Sequence, residues 1–287
     1  MPADRCWLTC VGKIPTLWLS RQRLNTYTPT TQAPTPTPFH SARLIRVLSD
    51  LMVLECAAPS AAFAEKLGLW VDFTAAINLC AVHNASPPAS EADVQPSQAG
   101  GSQRPMGEEF ARSRAALESS IRQSFLVAAG RARIPLPPPH LDIPLDLALA
   151  YAPYRRFHQA QQRDMDLGVG PIRARIRGRL GADVPRLRQL AALDAAFDAI
   201  LGERETKLLA FIPMLMEQRF GQLLLAHQQQ LAHTQQADHP SLWMKPGGWL
   251  TRYRQELQTV LLAELDLRLQ PTLGLIEALQ DQKTQQL

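Results

Sequence analysis

Two charged residues stand inside the most apolar helical stretch of the chain, Glu264 and Arg268 within WLTRYRQELQTVLLAELDLRLQPTLGLIEAL, Trp249 to Leu279. For a helix turning 100° per residue with Leu257 at zero, Leu250, Tyr253, Val260 and Leu261 fall within about 60° of it. Glu264 and Arg268 fall at about −20° and +20°, in the middle of that arc and one turn apart. A carboxylate and a guanidinium so placed can form a buried ion pair that fixes helix register or meets a partner protein. They could also serve acid–base chemistry, provided a nucleophile, a second base or a metal set stands beside them. Without those, the pair reads as a structural ion pair covered by neighbouring helices, and removing one partner should cost roughly 3–5 kcal/mol.

The search for companions returns little. His227, His233 and His239 are six apart, about 240° around a helix per step, so they scatter. No HExxH and no histidine pair four apart occurs, and no metal site is expected. His158 reads as a partly exposed helical histidine rather than a base. Asp164 and Asp166 are two apart and point to different helix faces. GxSxG, a Walker loop and GxGxxG are all missing, and GVGP at Gly168–Pro171 lacks a following lysine and loses an amide donor at Pro171. It reads as a helix break. No catalytic residue and no cofactor is expected, and the chain reads as a non-enzyme.

Arg173, Arg175, Arg177 and Arg179, in IRARIRGRL, form the strongest basic cluster and a candidate basic surface. On a helix Arg173 and Arg177 share one side and Arg175 and Arg179 the other. A DNA reader needs one basic stripe flanked by groove-reading polar residues. Here Ile172 and Ile176 share a side as well, which favours an amphipathic, solvated helix. Nucleic-acid binding stays as the alternative function.

The elements that position these residues are helical throughout. Ala, Leu, Gln and Arg dominate and β-branched runs are scarce. Thr26–Pro38 is Thr/Pro-rich and reads, with the residues before it, as an extended leader over 1–38. The first dozens of residues are expected to reflect a start codon assigned too far upstream. Residues 39–84 read as a helical hairpin, with Ser41 as the first N-cap, Pro59 opening the second helix, and Cys56 and Cys80 as small core residues. Residues 85–106 read as a flexible linker rich in Ser, Pro, Gln and Gly.

The bundle proper spans 107–287. A third helix carries Phe110, Leu117, Ile121 and Phe125 and ends at Gly130. A proline spacer covers 131–145, a fourth helix runs from Asp146 to Asp166, and the Arg-rich helix follows. Asp183 and Pro185 signal the start of a very long helix kinked at Pro213. Within it Leu190, Phe197, Leu201, Leu208, Phe211 and Leu215 outline a coiled-coil seam interrupted by Asp194 and Arg204. Pro246, Gly247 and Gly248 turn the chain into the final helix, which Pro271 should kink. The fold expected is all-α, an elongated bundle with long, partly coiled-coil C-terminal helices.

Composition narrows the partners. The net charge of +4 is small for 287 residues, and only five lysines contribute, so charge gives no argument for nucleic acid. Four cysteines without a CxxC favour a reducing compartment, and no apolar run approaches the ~20 residues of a membrane span. The expected location is cytoplasmic, and the expected partner is another copy or another helical protein.

FHSARLIRVLSDL, FAEKLGLWVDFTAAINLCAVHN, FARSRAAL, AYAPYRRFHQAQQRDMD and the final helix together resemble a proteobacterial family, domain of unknown function 3348. The resemblance covers roughly Phe39 to Leu279 apart from the linkers. It carries over no catalytic residues. It implies a setting beside envelope components similar to MotA/TolQ/ExbB-type proton channels and OmpA-like peptidoglycan binders, hence an accessory scaffold or adaptor role.

Overall fold

A computed structural model describes residues 43–51, 53, 70–85, 105–126, 132–139, 146–183 and 187–284. Among them the chain forms helices and no strand. They are α1 (Arg43–Asp50), α2 (Phe73–Asn84), α3 (Met106–Ser124), α4 (Leu147–Asp183), α5 (Arg188–Leu209), α6 (Ile212–Thr234), the single turn α7 (Pro240–Trp243) and α8 (Trp249–Thr284). The leader and the linker expected at 1–38 and 85–106 lie, except for Ala85, Pro105 and Met106, outside the described residues, as do Ser41, Pro59 and Cys56.

The hub is α8. Leu250, Tyr253, Leu257, Val260 and Leu261 are all buried, so the face deduced from spacing is the face that packs. Contacts between side chains give the directions of its neighbours. Tyr151 meets Tyr253, His158 meets Glu264 and Asp166 meets Arg268, so α4 runs parallel to α8. Arg219 bonds Glu256 and His227 stacks on Trp249, so α6 runs antiparallel. Arg114 bonds Asp266 and Arg254 bonds the Phe125 carbonyl, which makes α3 antiparallel as well. Four lengths of helix therefore surround one core, with α5 continuing the line of α6 beside α4. Of the two described N-terminal helices, α1 docks on α8 and α2 on α5, and most of the stretch expected to join them as a helical hairpin lies outside the described residues. The bonds Arg43–Asp266 (2.5 Å) and Gln189 to the His83 carbonyl (2.5 Å) fasten them.

An aromatic nest closes one end of the core. Phe220 lies edge-on to Tyr253 (4.9 Å) and Trp249 (5.2 Å), and tilted on Tyr151 (5.6 Å) and Tyr154 (5.7 Å). The turn from α6 into α8 is held by Asp238, which accepts from Trp243 Nε1 (2.7 Å) and bonds His227 Nε2 (3.0 Å). Gly247 has φ +86°, and a Cβ on Gly248 would stand 2.5 Å from the Leu242 carbonyl oxygen, so both glycines are required by backbone geometry.

Several local expectations are corrected. GVGP does not break a helix: α4 runs 37 residues through Pro153, Gly168 and Pro171. The carbonyls these prolines leave unbonded belong to Leu149 and Leu167, both exposed, where water can take them. Gly168 lets α3 approach, since a Cβ there would lie 2.6 Å from a Leu117 methyl. Asp183 is the last residue of α4 rather than an N-cap, and α3 ends at Ser124 rather than Gly130. The long helix is interrupted at Ala210–Phe211, with Pro213 in the first turn of α6. α8 is unbroken through Pro271. The seam drawn through Leu208 and Phe211 faces solvent, and Leu209, Ile212, Met216 and Phe220 pack instead. Cys80 is exposed, not core.

Candidate functional site

The polar residues at the centre of the bundle come from α4 and α8. On α8, Glu264 is 0% exposed and Arg268 7%, so both lie in the core. They do not pair with each other, which corrects the ion pair expected between them. Glu264 Oε1 bonds His158 Nε2, and Gln162 donates to Glu264 Oε2 (2.8 Å) and to the Leu209 carbonyl (2.8 Å). Arg268 Nη1 donates to Asp166 Oδ1. The reason is the parallel course of α4: its own face repeats every three to four residues, so His158, Gln162 and Asp166 come level with successive turns of α8.

His158 is also 0% exposed, against the partly exposed position expected of it. Its Nδ1 is buried without a partner, which suits the tautomer with the proton on Nε2, donating to the carboxylate. Chemically this is a base and an acid in contact, but sealed. Both side chains are 0% exposed, so the dyad is closed to solvent and ties α4 to α8. The signal for His158 was present in the sequence. Tyr151, Tyr154, Gln162, Met165 and Val169 fall within about 40° of it on a helix, the same arithmetic that singles out Glu264.

Toward the surface the polar line continues. Asp166, Arg268 and Glu205 line a cleft between α4, α5 and α8. Burial holds the Asp166 carboxyl above the usual range, opposed by Arg268 and reinforced by Glu264. Burial likewise raises Glu205, opposed by Arg268 and Arg173. Glu256, by contrast, is pushed up by burial but ends lowered, because the hydrogen bonds from Arg219 and Arg252 outweigh it.

A raised carboxyl binds its proton more tightly folded than unfolded. Glu205 therefore favours the folded state fully only below the unfolded carboxylate value, about 4.3, and loses that contribution as pH climbs through the raised folded value. Glu205→Gln should raise the melting temperature by about 1–3 °C at pH 7, and the gain should vanish near pH 4. A pH-independent gain, or none, in paired melts at the two pH values would show that the Glu205 charge is not strained.

The arginine cluster sits where α4 meets α3 and α5, divided as its spacing requires. Arg173 donates to Asp194 (2.7 and 3.1 Å) and Asp198 (2.7 Å), and Arg177 to Asp194 (3.0 Å) and Asp198 (3.2 Å). On the other side Arg175 (3.2 Å) and Arg179 (2.8 Å) bond Glu109. All four guanidiniums are thus engaged by carboxylates of neighbouring helices. Asp194, which interrupts the apolar seam of α5, is explained by that role.

Among the described residues no group of three or more His, Cys, Asp or Glu is placed to hold a metal ion, and no helix is long and apolar enough to cross a membrane. A family model described as a protein of unknown function, DUF3348, matches residues 30–281. No curated protein and no solved structure matches the chain.

Proposed function

The chain belongs to the DUF3348 family of proteins of unknown function, and from its geometry we propose that it is a non-enzymatic helical scaffold or adaptor that docks a partner on the α5–α6 elbow. The observation that carries this reading is the row Leu208, Phe211 and Met214, exposed by 55%, 58% and 48% at successive turns of the elbow. Phe211 N bonds the Leu208 carbonyl (3.2 Å) and Met214 N the Phe211 carbonyl (3.1 Å), so the three are one short, ordered ledge. Exposed single leucines are ordinary, whereas three large apolar side chains adjacent on a bend are the kind of patch that partners cover. The sealed His158–Glu264 dyad supports the reading, because it fixes how α4 and α8 register without offering a reaction site.

The resemblance stated from the sequence supplies the class of partner: a helical component of an envelope assembly with a proton channel and an OmpA-like protein. Nucleic acid is the less supported partner, since the Arg173–Arg179 charges are already bonded to Asp194, Asp198 and Glu109.

The test is affinity purification with crosslinking from the native host, comparing wild type with Phe211→Asp. Recovery of envelope proteins by the wild type, lost in the variant with its melting temperature unchanged, is the expected result. Equal recovery by both proteins removes the elbow from the proposal, and binding of random duplex DNA with a steep salt slope would replace the proposal with the nucleic-acid reading.

A further inference from the structure

Where α4, α5 and α8 converge they leave a cleft of about 130 Å³. Several of the residues around it cost the empty protein stability. Gly170 on α4 and Gly202 on α5 both line it, and a Cβ added to either would meet nothing within 4 Å. Glycine inside a helix is less favourable than alanine, a cost normally explained by close packing, and here there is none. Glu205 is a third such residue, a half-buried carboxyl lining the cleft with no hydrogen bond or ion pair from the protein, standing in the fields of Arg268 and Arg173. Arg268 is a fourth. Its side chain is buried and bonds through Nη1 alone, while Nε has no acceptor.

These unmet groups are complementary to something absent from the folded chain itself. Arg173, the other cation of the cleft, is already held by Asp194 and Asp198 through Nε, Nη1 and Nη2. Thr206 already donates its hydroxyl to the Gly202 carbonyl (3.0 Å). What remains is the Arg268 guanidinium, whose Nη2 carries no bond, and two carboxyls, Glu205 and the half-exposed Asp166, with oxygens that no protein donor fills. A simple anion would satisfy the first and repel the second, and a simple cation the reverse.

We propose that this cleft binds a small zwitterion of the α-amino-acid kind, its carboxylate on Arg268 and its ammonium group on Glu205 and Asp166. The two glycines keep the volume open for it, and the pairing of both charges recovers what burial of Glu205 and Arg268 costs the empty protein. The inference goes beyond the scaffold reading and does not depend on it, since the ledge of Leu208, Phe211 and Met214 is not part of the cleft.

The experiment is calorimetric titration of the full chain with glycine and L-alanine, and in parallel with acetate and ethylamine as half-ligands. A zwitterion should bind with a dissociation constant of about 1 mM or tighter, and each half-ligand at least tenfold more weakly. Gly202→Leu should fold with an undiminished melting temperature, because a Cβ there enters open space, yet bind at least tenfold more weakly. Glu205→Gln should lose affinity for the zwitterions and leave that for acetate unchanged. The proposal is overturned if the folded wild type takes up neither zwitterion at ~20 mM, if a half-ligand binds equally well, or if folded Gly202→Leu binds like wild type.

Discussion

Glu264→Ala should destabilise the protein by about 3–5 kcal/mol, lowering its melting temperature by roughly 6–20 °C. The carboxylate is 0% exposed and accepts from both His158 and Gln162. Its removal leaves His158, whose Nδ1 already lacks a partner, with neither ring nitrogen bonded, and opens a cavity beside Leu257, Leu261 and Leu265 on the same helix. Gln162 suffers less, because its amide keeps the bond to the Leu209 carbonyl. The double variant His158→Leu/Glu264→Leu discriminates between a lost interaction and an orphaned group. With both polar partners gone, most of the single-variant loss should return. Guanidinium unfolding of the three proteins measures this, and a Glu264→Ala midpoint equal to wild type would refute the central role given to the dyad.

The second large effect is expected at Phe220→Ala, which should cost about 3–5 kcal/mol. Phe220 is 1% exposed and touches rings from α4 and α8, so one truncation loosens three helices together. Edge-to-face geometry adds roughly 0.5–1.5 kcal/mol per pair beyond area burial, and Phe220→Leu, which keeps volume but not the quadrupole, should show that difference. Chemical denaturation with an unchanged slope is the readout. A loss below about 1 kcal/mol for the alanine variant would mean that the nest repacks around the gap.

Much of the architecture was legible in the sequence because helical periodicity is a local property. The buried faces of α3 and α8 and the division of the four arginines between two sides follow from counting residues, and Pro213 marks the region where the expected long helix gives way to α6. What was not legible depended on neighbours. Glu264 and Arg268 are adjacent on α8, and only the parallel placement of α4 shows that each has a better partner there. His158 was misjudged because a histidine's burial depends on which face meets another helix, although its own apolar arc pointed inward. Gly168, Pro153 and Pro171 look like helix breakers in isolation. They are tolerated because α3 needs the space at Gly168 and the freed carbonyls face water. The seam through Leu208 and Phe211 failed for a related reason, since the neighbours bury Leu209 and Ile212 beside them and leave those two residues facing solvent.

The parallel alignment of α4 and α8 also sets an order of events during synthesis. His158 and Glu264 are 106 residues apart in the chain and Asp166 and Arg268 are 102 apart. At ribosomal rates of about 5–20 residues per second, α4 waits roughly 5–20 s before the residues that neutralise and cover it exist. The helix on which α1, α3, α4 and α6 all dock is made after every one of them. Until then the Tyr151–Leu180 face is covered only where α3, α5 and α6 reach it, and such unclosed apolar surface is what aggregates or recruits a chaperone. This bundle therefore closes only once α8 is made, and a nascent chain halted before Trp249 should behave as an aggregation-prone client instead of a smaller folded domain.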